Sequence, residues 1–154
     1  MAGILDENII HFLYRQGYVV VSTIDRRGFP HSSCKGIVDI DRKGRIYLMD
    51  VYKGKTYENL KYNAHISITA VNEHRFCGYC LKGKGKIIPR DELGERITRA
   101  WEEKIASRLT QRLLKNIREE KGHSGHPEAL LPEPRHLIVM TAQETVDLTP
   151  QHLK

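Results

Sequence analysis

Two turn signals of one type, set between β-branched runs, constrain this chain more than any other feature. Residues 18–24 (YVVVSTI) are apolar and β-branched, the mark of a buried strand. Asp25-Arg26-Arg27-Gly28 follows as a turn. Pro30 opens a second extended run that reaches about Ile40. Asp41-Arg42-Lys43-Gly44 then repeats the turn chemistry, and residues 45–50 (RIYLMD) form a third strand. The pattern predicts a three-stranded meander. No crossover helix separates these strands, so a closed barrel is favoured over a parallel sheet.

The flanking segments fill in the topology. Asp6 is a fair N-cap, and Ile9, Ile10, Leu13 and Tyr14 follow at helical spacing until Gly17, which predicts a short helix over 6–16. Thr56 is placed to cap a second short helix over 57–62. A fourth strand is expected over 66–71 and a long fifth over 75–88. Within the fifth, Gly83-Lys84-Gly85 is weak strand material and predicts a bulge or a close backbone approach. Residues 136–148 (HLIVMTAQETVDL) read as the sixth strand, after a Gly-, Pro- and His-rich loop over 122–134.

Between strands five and six the composition turns helical, over about 91–121. Leu93, Ile97, Trp101, Ile105, Leu109, Leu113 and Ile117 recur every four residues. A straight helix gains about 40° at each such step. The stripe therefore predicts two helical pieces with a break near Ser107, or one helix buried by different neighbours along its length. The expected architecture is mainly β with helices (α+β), a six-stranded barrel in one domain over 1–154. The 154 residues suit a single domain, which at this size buries roughly 70% of its unfolded surface.

A formal net charge of +6 suits an anionic partner without choosing among nucleic acid, membrane and phosphorylated ligand. Three cysteines, an odd number, argue against a full disulfide framework. The start, Met1-Ala2-Gly3-Ile4, lacks a positive region followed by a long apolar run, and no stretch approaches the ~20 apolar residues of a membrane helix. The expected compartment is the cytoplasm, with reduced thiols and no membrane partner.

The loop Lys53-Gly54-Lys55-Thr56 is the most informative chemical feature. Two lysines, a glycine and a hydroxyl precede a helix start, whose free N–H groups and partial positive charge attract an anion. Gly54-Lys55-Thr56 has the look of a nucleotide P-loop, but the upstream glycine is missing and the preceding strand belongs to a meander. A nucleotide triphosphatase is rejected on that ground. On spacing alone, a solvated basic loop is an equal alternative.

Taken in order, these segments resemble a known family. Val19-Val20-Val21-Ser22-Thr23-Ile24-Asp25 with Gly28-Phe29-Pro30-His31 resembles the first hairpin of the FMN-binding split β-barrels related to pyridoxamine 5′-phosphate oxidase. Residues 44–50 (GRIYLMD) are similar to their third strand, and Lys55-Thr56-Tyr57-Glu58-Asn59-Leu60-Lys61-Tyr62-Asn63 to their phosphate-side helix. Gly83 stands where their fifth strand carries a glycine. The resemblance covers about residues 5 to 88 and resumes at the last strand. It rests on four weak motifs in the right order.

The resemblance implies a homodimer with FMN at the interface, acting as an oxidoreductase on a small substrate or a reduced nicotinamide. Carried over, Lys53, Lys55 and Thr56 would hold the phosphate. Ser33, Cys34 and Lys35 would edge the isoalloxazine, with Met49 and Asp50 on its other side. No general acid or base is implied. An electron carrier or sensor, or a relative taking haem or deazaflavin in the same groove, are the alternatives. Three departures stand out. Gly78 replaces a glutamine, residues 145–150 (TVDLTP) replace a Trp and an Arg-Leu pair, and Ala64 follows Asn63. The first two weigh against a vitamin B6 substrate.

Competing constellations are weaker. Cys77-Gly78-Tyr79-Cys80 is a CxxC, but on a strand, and residues three apart on a strand face opposite sides. Cys77, Cys80, His123 and His126 could form a zinc set only across an unusually long gap, so no metal is expected. The basic face Arg108, Arg112, Lys115 and Arg118 is interrupted by Glu102, Glu103, Glu119 and Glu120 and lacks stacking aromatics. It reads as solvated rather than as a nucleic-acid surface. Trp101 reads as core or interface, and His31 as structural.

Overall fold

The two turns form as their sequences demand. In a computed structural model, which describes residues 5–118, 122 and 135–154, Gly28 and Gly44 both adopt positive φ, +84° and +78°. Only glycine takes that region without strain. In each turn the aspartate carboxylate accepts a backbone N–H two residues on: Arg27 N to Asp25 at 2.8 Å, Lys43 N to Asp41 at 2.9 Å. The backbone N–H of Phe29 and the Arg27 side chain hold the Asp25 carboxyl below its ordinary range.

Helix α1 (Glu7–Arg15) starts on Asp6, whose carboxylate accepts the Ile9 N–H at 2.9 Å. Strands β1 (Val19–Ile24) and β2 (Pro30–Lys35) form a hairpin, and β3 (Ile37–Ile40) and β4 (Arg45–Met49) form another. Helix α2 (Lys55–Tyr62) follows, then β5 (His65–Asn72), β6 (Cys77–Pro89), helix α3 (Glu95–Ile117) and β7 (His136–Asp147). All strands join one antiparallel sheet in the order β2-β1-β5-β6-β7-β4-β3.

The sheet thus has seven strands where the sequence predicted six. The run from Pro30 to Ile40 is two strands broken at Gly36, and β2 and β3 lie at opposite edges of the sheet. The predicted meander is therefore two hairpins joined through one residue. Glycine is weak strand material, and here its carbonyl turns to accept the Met49 N–H at 2.8 Å. The curled sheet brings its two edges together at this point, as a split barrel requires.

The bulge expected in the fifth strand is present. The β6–β7 register shifts between Lys82 and Gly83, where a Cβ on Gly83 would lie 2.0 Å from the Thr141 carbonyl oxygen. Cys77 and Cys80 carry free thiols on β6. Three strand steps separate their Cα atoms by about 10 Å, beyond disulfide reach.

Two apolar layers follow from period-2 alternation on β4 and β7. Ile46, Leu48, Ile138 and Met140 point into the barrel with Leu13, Val21, Ile68 and Leu81. Tyr47, Met49, Leu137 and Val139 point outward, where α3 covers them with Ile97, Trp101 and Ile105. Strands covered on both faces read as unbroken apolar runs, which accounts for RIYLM and HLIVM. Trp101, 1% exposed, is core as expected.

Helix α3 is one helix of 23 residues, not two pieces. Its apolar stripe is buried only through Ile105; Leu109, Leu113 and Ile117 are exposed. The 40° drift carries the stripe off the sheet beyond Ser107 and brings the basic face round to replace it. The expected end of this insert over 119–121, the expected loop over 123–134 and the ligand candidates His123 and His126 lie outside the described residues.

Candidate functional site

The end of β4, the start of α2, the inward face of β2 and the second half of α3 enclose a cleft of about 670 Å³. Volumes of roughly 300–1,000 Å³ suit small-molecule and cofactor sites. Alternation on β2 puts His31, Ser33 and Lys35 on its half-buried side, and all three line the cleft, as does Cys34. Met49 and Asp50 line it from the end of β4, and Lys55 and Thr56 from α2. The structure therefore brings together seven of the eight residues that the sequence singled out.

Lys53 is the exception and does not line the cleft. Its ammonium sits over the ring of Tyr57, 5.5 Å from the centroid, and that of Lys61 lies 5.6 Å from the same centroid. The negative face of an aromatic ring attracts a cation at this range. Lys53 is thus engaged by Tyr57 rather than by the cleft.

At the α2 mouth, Gly54 rather than Thr56 is the N-cap, and no side chain caps the helix. Thr56 is the second residue of the helix, buried, with its hydroxyl 2.8 Å from that of Ser33. The first N–H groups of α2, Lys55 and this hydroxyl pair form a cationic, donor-rich corner. An anion is the natural occupant of such a corner.

A buried ion network stands behind the cleft wall. The Lys35 ammonium donates to one Asp50 oxygen at 2.6 Å, and His136 Nε2 lies 2.7 Å from the other. Asp50 is 3% exposed and His136 4%. The His136 ring meets Tyr57 edge-on at 5.0 Å. Its Nδ1 is buried and has no hydrogen-bond partner among the described residues. Asp50 thereby fixes the Lys35 ammonium on the cleft surface, because a carboxylate in such surroundings must be paired.

The sequence reading missed two contributors. His136 was passed over as the first letter of a strand; a lone polar residue heading the apolar run HLIVM was the available signal. The basic face of α3 was read as solvated, yet Arg108, Arg112 and Lys115 line the cleft. Arg108 also donates to the Gly17 carbonyl, tying α3 to the end of α1. Among the described residues, five cationic side chains and one carboxylate, that of Asp50, line the cleft.

Comparison with known proteins agrees with this architecture. The sequence pattern that defines the pyridoxamine 5′-phosphate oxidase family matches residues 5–147, and the chain belongs to that family. No curated protein sequence matches it. Among solved structures, HupZ of Group A Streptococcus is 17% identical, with 94% of each chain covered and a TM-score of 0.63. A Clostridium acetobutylicum protein related to general stress protein 26, of the pyridoxinephosphate oxidase family, is 16% identical (97% of this chain, all of that one, TM-score 0.55). HutZ, the haem storage protein from Vibrio cholerae, is 14% identical (92% and 93%, TM-score 0.56). These likenesses establish the shared fold. No helix among the described residues is long and apolar enough to cross a membrane.

Proposed function

We propose that this chain is an FMN-binding flavoprotein, an oxidoreductase that works as a cytoplasmic homodimer. The observation that carries the proposal is the α2 corner: an uncapped helix start, Lys55 and the paired hydroxyls of Thr56 and Ser33 at one end of a cofactor-sized cleft. Membership of the family supports it. The residues fit the group. Lys55, Thr56 and the first N–H groups of α2 would hold the phosphate, and Ser33, Cys34 and Met49 would border the ring. Lys35, held by Asp50, would set a fixed positive charge at the ring edge. When bound, FMN supplies exchange of a hydride or of single electrons, and such a charge favours its anionic reduced form.

The absorbance spectrum of the freshly purified protein tests this directly. A flavin spectrum upholds the proposal; an empty or haem spectrum, with no uptake of added FMN, overturns it. Steady consumption of NADH or NADPH by the holoprotein in oxygen identifies an enzyme. A flavin that no donor reduces identifies a carrier or sensor instead. Haem is the second reading, since the cleft also presents the imidazole of His31 and HutZ shares the fold.

Lys55→Ala is expected to weaken FMN binding by about tenfold to a hundredfold, the loss of one charge-assisted hydrogen bond of ~1.5–3 kcal/mol. A fluorescence titration measures it, and an unchanged affinity removes Lys55 from the site. A dimer is expected in sedimentation, because the cleft lies along β2, an edge strand whose outer side no other strand among the described residues pairs. A monomer with FMN bound contradicts that expectation.

A further inference from the structure

We infer that His136 is a positioning residue: through Asp50 it decides where the Lys35 ammonium stands, and so how strongly the cleft favours a reduced flavin over an oxidised one. The effect on flavin rests on the flavin reading; the effect on Lys35 does not.

Three strands meet in this contact. Leu137 pairs with Met49 in the β4–β7 ladder, so His136 and Asp50 stand opposite each other one step beyond it. Lys35 arrives from the end of β2. Asp50 gives one oxygen to each neighbour, Oδ1 to the Lys35 ammonium at 2.6 Å and Oδ2 to His136 Nε2 at 2.7 Å. A carboxylate only accepts, so Nε2 is the ring nitrogen that donates.

The second contact is what fixes the carboxylate. The torsion that turns an aspartate carboxylate about its last bond is broad. A lysine on a flexible stem can follow that turn and does not stop it. An imidazole held in place can. His136 is buried, begins β7 and meets Tyr57 edge-on. Lys35 is then held by an oxygen that itself has a fixed place, and a charge is only as well placed as the residues behind it.

The residue type agrees with this role. Leu137, Ile138, Val139 and Met140 are all buried, and packing alone would be served at 136 by another residue of their kind. A buried imidazole is costly unless its polar atoms are engaged, and the hydrogen bond that His136 makes is the one to Asp50.

Acetylation of Lys35 by acetic anhydride, followed at that residue by mass spectrometry in the flavin-free chain, is the first measurement. H136L removes the donor, and Lys35 should react about tenfold faster, the size of one lost hydrogen bond to a charged group. H136Q puts an amide N–H in place of Nε2 and should keep the wild-type rate. An equal rise in both variants would mean a packing role and would overturn the inference, as would an unchanged rate in H136L. If H136L does not fold, H136N takes its place, because its amide ends short of Asp50.

The midpoint potential of bound FMN is the second measurement. Loss of a fixed positive charge at the ring edge disfavours the anionic reduced form. The potential in H136L should therefore fall by about 30 mV, a tenfold change in the two-electron equilibrium. In a K35M background the same substitution should change nothing, because the charge it positions is gone. A further fall there, or no fall in H136L alone, would overturn the link to flavin. A chain that takes up no flavin sinks the flavin reading alone, and the acetylation of Lys35 still decides the role of His136.

Discussion

Replacing Asp50 with asparagine is expected to destabilise the fold by about 3–5 kcal/mol at neutral pH, the range for removing one partner from a buried ion pair. The Lys35 and Asp50 side chains are 11% and 2% exposed and meet at 2.6 Å. Asparagine preserves the shape and still accepts one hydrogen bond. What it removes is the charge that makes a nearly buried ammonium tolerable. The amide leaves one acceptor oxygen for the two groups that Asp50 held, the Lys35 ammonium and His136 Nε2. Urea unfolding of wild type and D50N measures the difference. The double variant K35M/D50N should recover most of it, because the stranded charge is then gone. A loss below about 1 kcal/mol in D50N would show that water reaches Lys35 freely. Asp50 would then be no more than a surface partner.

Gly83→Ala is expected to lower stability by about 3 kcal/mol or more, the upper range for overpacking. The added Cβ would lie 2.0 Å from the Thr141 carbonyl oxygen and 2.9 Å from its carbon. Both are backbone atoms in the β6–β7 ladder, so they cannot step aside as a side chain would. Relief requires displacing β7, whose first residues form both apolar layers. A fall in Tm of roughly 6–12 °C corresponds to this loss in a domain of this size. Gly85→Ala is the control. The nearest atoms to its Cβ would be side-chain carbons of Ile66 and Leu60, at 3.1 to 3.2 Å, and these can give by a few tenths of an ångström. Equal melting of wild type and G83A would mean that the close approach of β6 and β7 is absent in solution.

Local chemistry was legible in the sequence, and edge assignment was not. The positive-φ glycines at 28 and 44, the Asp6 cap and the glycine bulge at 83 are consequences of single residues, and each stands where its sequence signal lies. The run from Pro30 to Ile40 reads as one strand because nothing local reveals that β2 and β3 pair with different partners. Only closure of the whole sheet divides it at Gly36. The site shows the same split. Residues near the turns and the α2 mouth were found from short motifs, whereas His136 meets Asp50 across 86 positions and no local pattern encodes that meeting. The α3 cations were visible as a face, but which way the face turned depended on where Trp101 anchored the helix.

Gly36 is also where the cleft meets bare backbone. Lys35 on one margin of the sheet and Met49 on the other stand either side of it, and its carbonyl is hydrogen-bonded to Met49 at 2.8 Å. A Cβ placed here would lie 3.8 Å from the Arg108 guanidinium and 4.0 Å from the Met49 side chain. Any larger residue at this seam would therefore take its space from the cleft.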